Sequence, residues 1–121
     1  MKKVRLYNVT RSKVLCENCR IADNMFTRVR GLLGRSTLDS GEGLLIVPCP
    51  SIHMFGMKMS LDVVFLTKEN IVTDFVENIA PGQYYVAQNQ FGKAHSALEI
   101  APGIIAATST RRGDEIRLEP Q

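Results

Sequence analysis

Hydrophobic positions along this chain follow two spacings, one helical and one strand-like. Met25, Phe26, Val29, Leu32 and Leu33 fall at i, i+1, i+4, i+7 and i+8, which lines one face of a helix. Asp23 can cap the start of that helix, and Gly34 can end it in the left-handed conformation. Arg28, Arg30 and Arg35 lie off its apolar stripe. No other stretch carries so strong a helical signal.

The remaining apolar positions read as short strands. Val4, Leu6 and Tyr7 form a first strand, a turn follows near residues 8–13, and Val14–Leu15 begins a second. Cys16-Glu17-Asn18-Cys19 interrupts the pattern before Ile21 resumes it. Leu44–Val47 is a buried run closed by Pro48 and Pro50. Leu61–Thr67, the turn Lys68-Glu69-Asn70 and Ile71–Glu77 predict a hairpin. Further strands are expected at Tyr84–Val86, Ser96–Ile100 and Glu115–Leu118. Gln88–Gly92 is a polar loop, and Pro102-Gly103 precedes a helical turn at Ile104–Thr108. One amphipathic helix with seven or eight short strands predicts a mainly β (α+β) fold, a small closed or half-closed β-barrel with the helix across one opening.

Composition narrows the class. At 121 residues, 45% hydrophobic and 22% charged, the chain matches one soluble globular domain, taken here as residues 1–121. No run approaches the ~20 apolar residues that span a bilayer, and the N-terminus has no apolar segment of a secretory signal. The expected location is therefore the cytoplasm, with no membrane partner. Three cysteines, an odd number, argue against a disulfide framework.

The net charge of +3 is unevenly spread: residues 1–35 carry nine Lys/Arg against two acids, and residues 36–121 six against ten. A basic third of this kind can meet an anionic partner. Its arginines are dispersed and lack interleaved RNA-stacking aromatics, so packing beside the acidic remainder is the simpler expectation and nucleic acid is not the expected partner.

The richest chemistry lies between Leu44 and Phe65, which reads as a nearly buried hairpin-like unit holding His53, Lys58 and Asp62 close to the core. Buried polar groups need partners, so such a cluster is either structural or a site. His53 with Asp62 or Glu99 has the composition for general acid–base work, since a carboxylate orients an imidazole and raises its pKa. The structural alternative has Asp62 capping a strand or turn, Glu99 buried and ion-paired with Arg30, and His53 a satisfied loop histidine. Met54, Met57, Met59 and Phe55 suit an adaptable binding surface, or plain packing. The His53–Ser60 loop is expected to line the best pocket, with His53 or Lys58 reaching into it.

Cys16-x2-Cys19 and Cys49-x3-His53 supply three thiolates and an imidazole, a legal tetrahedral Zn²⁺ set if the two halves meet. The spacing lacks the flanking pattern of a zinc finger, and Cys49 between two prolines packs well as a small hydrophobe. No metal and no cofactor are therefore expected.

Six motifs occur in order: Thr27-Arg28-Val29-Arg30-Gly31-Leu32-Leu33, Gly41-Glu42-Gly43-Leu44-Leu45, His53-Met54-Phe55-Gly56-Met57, Leu61-Asp62-Val63-Val64-Phe65-Leu66, Leu98-Glu99-Ile100-Ala101-Pro102-Gly103 and Gly113-Asp114. Together they resemble the small prokaryotic proteins of the domain of unknown function 192 family, over about residues 22–118. The resemblance implies a β-rich single-domain fold and brings no established activity. The expected role is a ligand- or partner-binding accessory module, its partner an unidentified small molecule or protein. Its site would lie near His53–Ser60, with His53, Lys58, Asp62, Arg30 and Glu99 as candidates. The alternatives are a small hydrolase or isomerase using His53 with Asp62 or Glu99, and a weak nucleic-acid binder through the basic N-terminal third.

Overall fold

Nine strands run through residues 2–24 and 32–121, the residues that the computed structural model describes. They are β1 (Lys3–Asn8), β2 (Lys13–Ala22), β3 (Glu42–Ile46), β4 (Ser51–His53), β5 (Leu61–Leu66), β6 (Val72–Ile79), β7 (Tyr84–Val86), β8 (Ser96–Ile100) and β9 (Ile116–Pro120). A short helix, α1, spans Ile104–Thr108. Seven strands form one sheet in the order β6-β5-β8-β3-β2-β1-β9, while β4 and β7 pair as a separate ribbon. The sheet curls into a half-barrel whose edge strands approach at one corner: Val72 N–H donates to Asp114 O and Ile116 N–H to Asn70 O, each at 2.9 Å. The expected mainly β half-closed barrel is what forms. The expected helix over Met25–Leu33, with Arg28 and Arg30, falls mostly on residues 25–31, outside the described ones.

Neighbouring strands pair antiparallel except β2 and β3, which are parallel. A parallel pair requires a long crossover, and residues 23–41 provide it. The Leu44–Phe65 stretch is not a hairpin. Strand β8 lies between β3 and β5 and pairs with both, Leu44 and Val63 each facing Glu99. The intervening chain instead leaves the sheet to build β4, whose partner is β7. The hairpin expected at the Lys68-Glu69-Asn70 turn does form, with Asn70 left-handed at φ 63°.

Both faces of the sheet carry a core, which explains why every residue of β5 and β8 is buried rather than every second one. On the first face, Leu61, Val63, Phe65, Leu44 and Ala97 pack with Leu32, Ile52, Met54 and Met59. On the second face, Val64, Leu66, Leu98 and Ile100 pack with Leu6, Leu15, Cys16, Cys19 and Ile105 inside the curl. The β4–β7 ribbon lies over the first face, seating Ile52 and Tyr85, and the Tyr85 ring stacks on Phe65 at 5.9 Å.

Strand β2 runs ten residues, straight through the cysteines that seemed to interrupt it. Val4 pairs with Cys19 and Leu6 with Cys16, so Arg5 faces two residues, Glu17 and Asn18, one of them the extra residue of a bulge. Residues three apart on a regular strand point to opposite faces. The bulge turns both thiols to the second face, where both are buried.

Candidate functional site

The carboxylates singled out in the sequence do not converge. Because side chains alternate along a strand, Asp62 shares the second face with Val64 and Leu66, whereas Glu99 shares the first with Val63 and Ala97. Asp62 is 1% exposed, and backbone donors occupy both its oxygens. Oδ1 accepts from Asn78 N–H at 2.8 Å, and Oδ2 from Gly103 and Ile105 N–H at 3.0 Å each. It ties β6 and the start of α1 to β5, the structural role weighed for it as a cap.

Glu99 is buried, 6% exposed, and burial pushes its carboxyl up to about 7. Among the described residues no donor reaches it. The Arg30 expected opposite it lies outside those residues.

Two further aspartates, neither of them among the candidate site residues, organise the molecule. Asp74 Oδ1 accepts from Phe75 N–H and from Arg112 Nε and Nη2, while Oδ2 accepts from Tyr85 O–H and Gln88 N–H at 2.7 Å. Burial alone would raise the pKa of Asp74, but these bonds outweigh it and hold the carboxyl below its usual range. This network fastens the ribbon to the barrel. Asp114 likewise collects Asn8 Nδ2, Arg11 Nε and Arg111 N–H, and is held low despite burial. Asp74 carried the same signal as Asp62, an acid inside an apolar strand.

His53 sits at the end of β4 on the outer side of the ribbon, exposed, opposite Tyr84. Its ring stacks on Phe55 at 5.5 Å, and among the described residues it makes no hydrogen bond to Asp62 or Glu99. The geometry that acid–base catalysis by this trio requires is not assembled there. Lys58 is exposed and forms no ion pair among the described residues. Met54 and Met59 are buried in the first core and Met57 packs against it, so the methionines anchor the loop rather than coat it.

What the loop and ribbon do display is aromatic and aliphatic surface. Tyr84 is 71% exposed, Val86 61% and Phe55 58%. Val86 lies opposite Ser51 as Tyr84 lies opposite His53, so these side chains share one outward row. A Cβ placed on Gly56 would lie 3.4 Å from Leu33 Cδ2, and Leu33 is 45% exposed, so the apolar surface continues onto the crossover. Beside Tyr84 opens a cleft of about 460 Å³, with Val76, Ile79 and Gly82 among its walls. A second cleft lies where Lys68, Lys93 and His95 meet. Neither of these two clefts is lined by His53 or Lys58.

The possible zinc set is divided. Cys16 and Cys19 lie in the second core and Cys49 in the first, and no group of three metal-ligating side chains gathers among the described residues. The Cys16 and Cys19 thiols donate to Gly41 O and Arg20 O at 3.6 Å each, and their mutual interaction holds Cys16 below the usual thiol range and pushes Cys19 above it. Three arginines of the basic N-terminal third are paired internally: Arg5 with Glu17 and Glu119, Arg11 with Asp114, and Arg35 with Glu42. No helix among the described residues is long and apolar enough to cross a membrane.

These features define a small β half-barrel carrying an external two-stranded ribbon with an exposed aromatic row. The chain belongs to the domain of unknown function 192 family, described as an uncharacterized ACR, whose model matches residues 7–118. It is 34% identical to a UPF0127 protein of Thermococcus sibiricus, covering 94% of this chain and 74% of that one. A UPF0127 protein of Pyrococcus furiosus is 30% identical, over 92% of this chain and 95% of its own length. Two solved structures share the fold. One is a protein of unknown function from Novosphingobium aromaticivorans, with TM-score 0.79 and 21% identity, over 95% of this chain and 83% of that one. The other, from Sinorhizobium meliloti, is named as a candidate transcription regulator, with TM-score 0.78 and 19% identity, over 97% and 92%.

Proposed function

We propose that this protein is a binding module that docks a protein partner on the outer face of the β4–β7 ribbon. One observation carries the reading: three of the large hydrophobic side chains left exposed share this face, Tyr84 and Phe55 beside His53 and Val86 opposite Ser51 in the row of Tyr84. Contiguous exposed apolar surface is costly to keep in water, and aromatic residues are what protein interfaces concentrate. The ribbon beneath is rigid. Ile52 and Tyr85 seat it in the core, and the Tyr85 hydroxyl bonds Asp74 at 2.7 Å, so docking needs little ordering of the face. In this reading His53 and Lys58 supply polar contacts at the rim, while Asp62 and Glu99 serve the scaffold.

The test is affinity purification from the native host with the wild-type chain and with a Phe55→Ser/Tyr84→Ser variant. A partner retained by the wild type and lost by an equally stable double variant supports the reading. A partner retained equally by both moves the site elsewhere.

A further inference from the structure

Three loops meet at the end of the half-barrel where β3 and β5 finish and β8 begins. They enclose a cleft of about 530 Å³, within the range of small-molecule sites. Pro48 and Pro50 form one wall from the β3–β4 connection, and Ala94 adds apolar surface from the segment before β8. Thr67, Lys68 and Glu69 come from the β5–β6 turn, and Lys93 and His95 complete the lining.

Backbone bonds hold the loops in place. Cys49 N–H donates to His95 O at 2.9 Å, His95 N–H to Leu66 O at 2.8 Å, and Asn70 N–H to Thr67 O at 2.9 Å. The cleft is thus preformed. Its charged side chains form no ion pair among the described residues: every ion pair there involves an arginine, and none involves Lys68, Lys93 or Glu69. Thr67 Oγ1 accepts the Ile71 N–H at 3.2 Å, which leaves its hydroxyl proton to give. Both backbone groups of His95 are engaged, while its half-buried ring has no hydrogen bond among the described residues.

We infer that this cleft binds a small organic anion, a carboxylate or phosphate monoester carried on an apolar body. Lys68 and Lys93 outnumber Glu69, so the rim is net positive, and the low-dielectric proline wall strengthens its pull on an anion. The Thr67 hydroxyl and the His95 ring supply directional donors, and the prolines with Ala94 take the apolar body. Glu69 opposes the anion and so tunes affinity downward. This site is separate from the aromatic face and stands or falls without it.

The test is an NMR titration of the labelled protein with phenyl phosphate, benzoate, inorganic phosphate and neutral benzyl alcohol. Saturable shifts at the amides of Lys68–Asn70 and Lys93–His95 are expected with phenyl phosphate or benzoate, and the tighter of the two names the anion. Inorganic phosphate and benzyl alcohol should bind about tenfold more weakly, each lacking half of the recognition. Lys68→Gln/Lys93→Gln should weaken the better anion about tenfold, and Glu69→Gln should strengthen it about threefold; both alter exposed side chains and should keep the wild-type spectrum elsewhere. Shifts spread equally over Lys2, Lys3, Lys13 and Lys58 would overturn the inference. So would equal binding of benzyl alcohol, or no saturable shift with either organic anion.

Discussion

Glu99→Gln should remove a pH-dependent cost from this fold. Glu99 sits mid-strand in β8, flanked in register by Leu44 and Val63 on the first face, and is 6% exposed. With no donor among the described residues to offset desolvation, its carboxyl is raised from 4.5 to about 7. Between those values the folded chain holds a proton that the unfolded chain has released. Stability is therefore full below about 4.5 and declines as pH rises through about 7, flattening above it. A gap of that size corresponds to about 3 kcal/mol at ~1.4 kcal/mol per pKa unit. That is a large fraction of the ~5–15 kcal/mol that holds a typical domain together. Glutamine keeps the shape and cannot ionise. The amide has its own desolvation cost, but that cost does not change with pH, so the informative quantity is the difference between the two proteins as pH varies. Urea unfolding from pH 5 to pH 8 should show the variant gaining about 2.5 kcal/mol on the wild type across that range. Parallel profiles would refute the reasoning. A variant that falls behind at pH 8 would point to a cation paired with Glu99, the arrangement first expected with Arg30.

Asp62→Ala would strand three backbone N–H groups around Gly103, Ile105 and Asn78, and at ~1–3 kcal/mol each should cost about 4 kcal/mol or more by urea unfolding. Asp74 and Asp114 are both held below the usual carboxylate range, so they contribute stability above it that is lost as pH falls through their folded values; Asp74→Asn should flatten acid unfolding, followed by circular dichroism. A Cβ at Gly43 would lie 2.7 Å from Cys16 Sγ and 3.1 Å from Glu99 O, so Gly43→Ala should cost about 1–3 kcal/mol, and Gly43→Ala/Cys16→Ala should recover part of it. His53→Ala and Lys58→Ala alter exposed side chains and should leave the unfolding midpoint nearly unchanged, within about 1 kcal/mol.

The fold class was legible because it rests on periodicity. Short β-branched runs and turn residues such as Lys68-Glu69-Asn70 indicated the strands and the β5–β6 hairpin. Strand order was not legible, since nothing local to Leu44–Phe65 announces that β8, some thirty residues further on, will lie between its two halves. The bulge at Glu17-Asn18 was equally hidden, because it is defined by its pairing with β1 and not by its own residues. The acids in apolar strands were readable as important, but the face each one takes depends on register, and register separates Asp62 from Glu99. His53 and its loop drew attention by composition. The aromatic row beside it needed the pairing of Tyr84 with His53, a contact across thirty residues of sequence.

Site-specific photo-crosslinking tests the partner face most directly. A benzoylphenylalanine placed at Tyr84 in the native host should give one discrete adduct that disappears when Phe55→Ser is added. The same probe at Lys13, exposed on β2, should give none. An adduct at Lys13 of equal yield, or none at Tyr84 at native expression level, would contradict docking on the β4–β7 face.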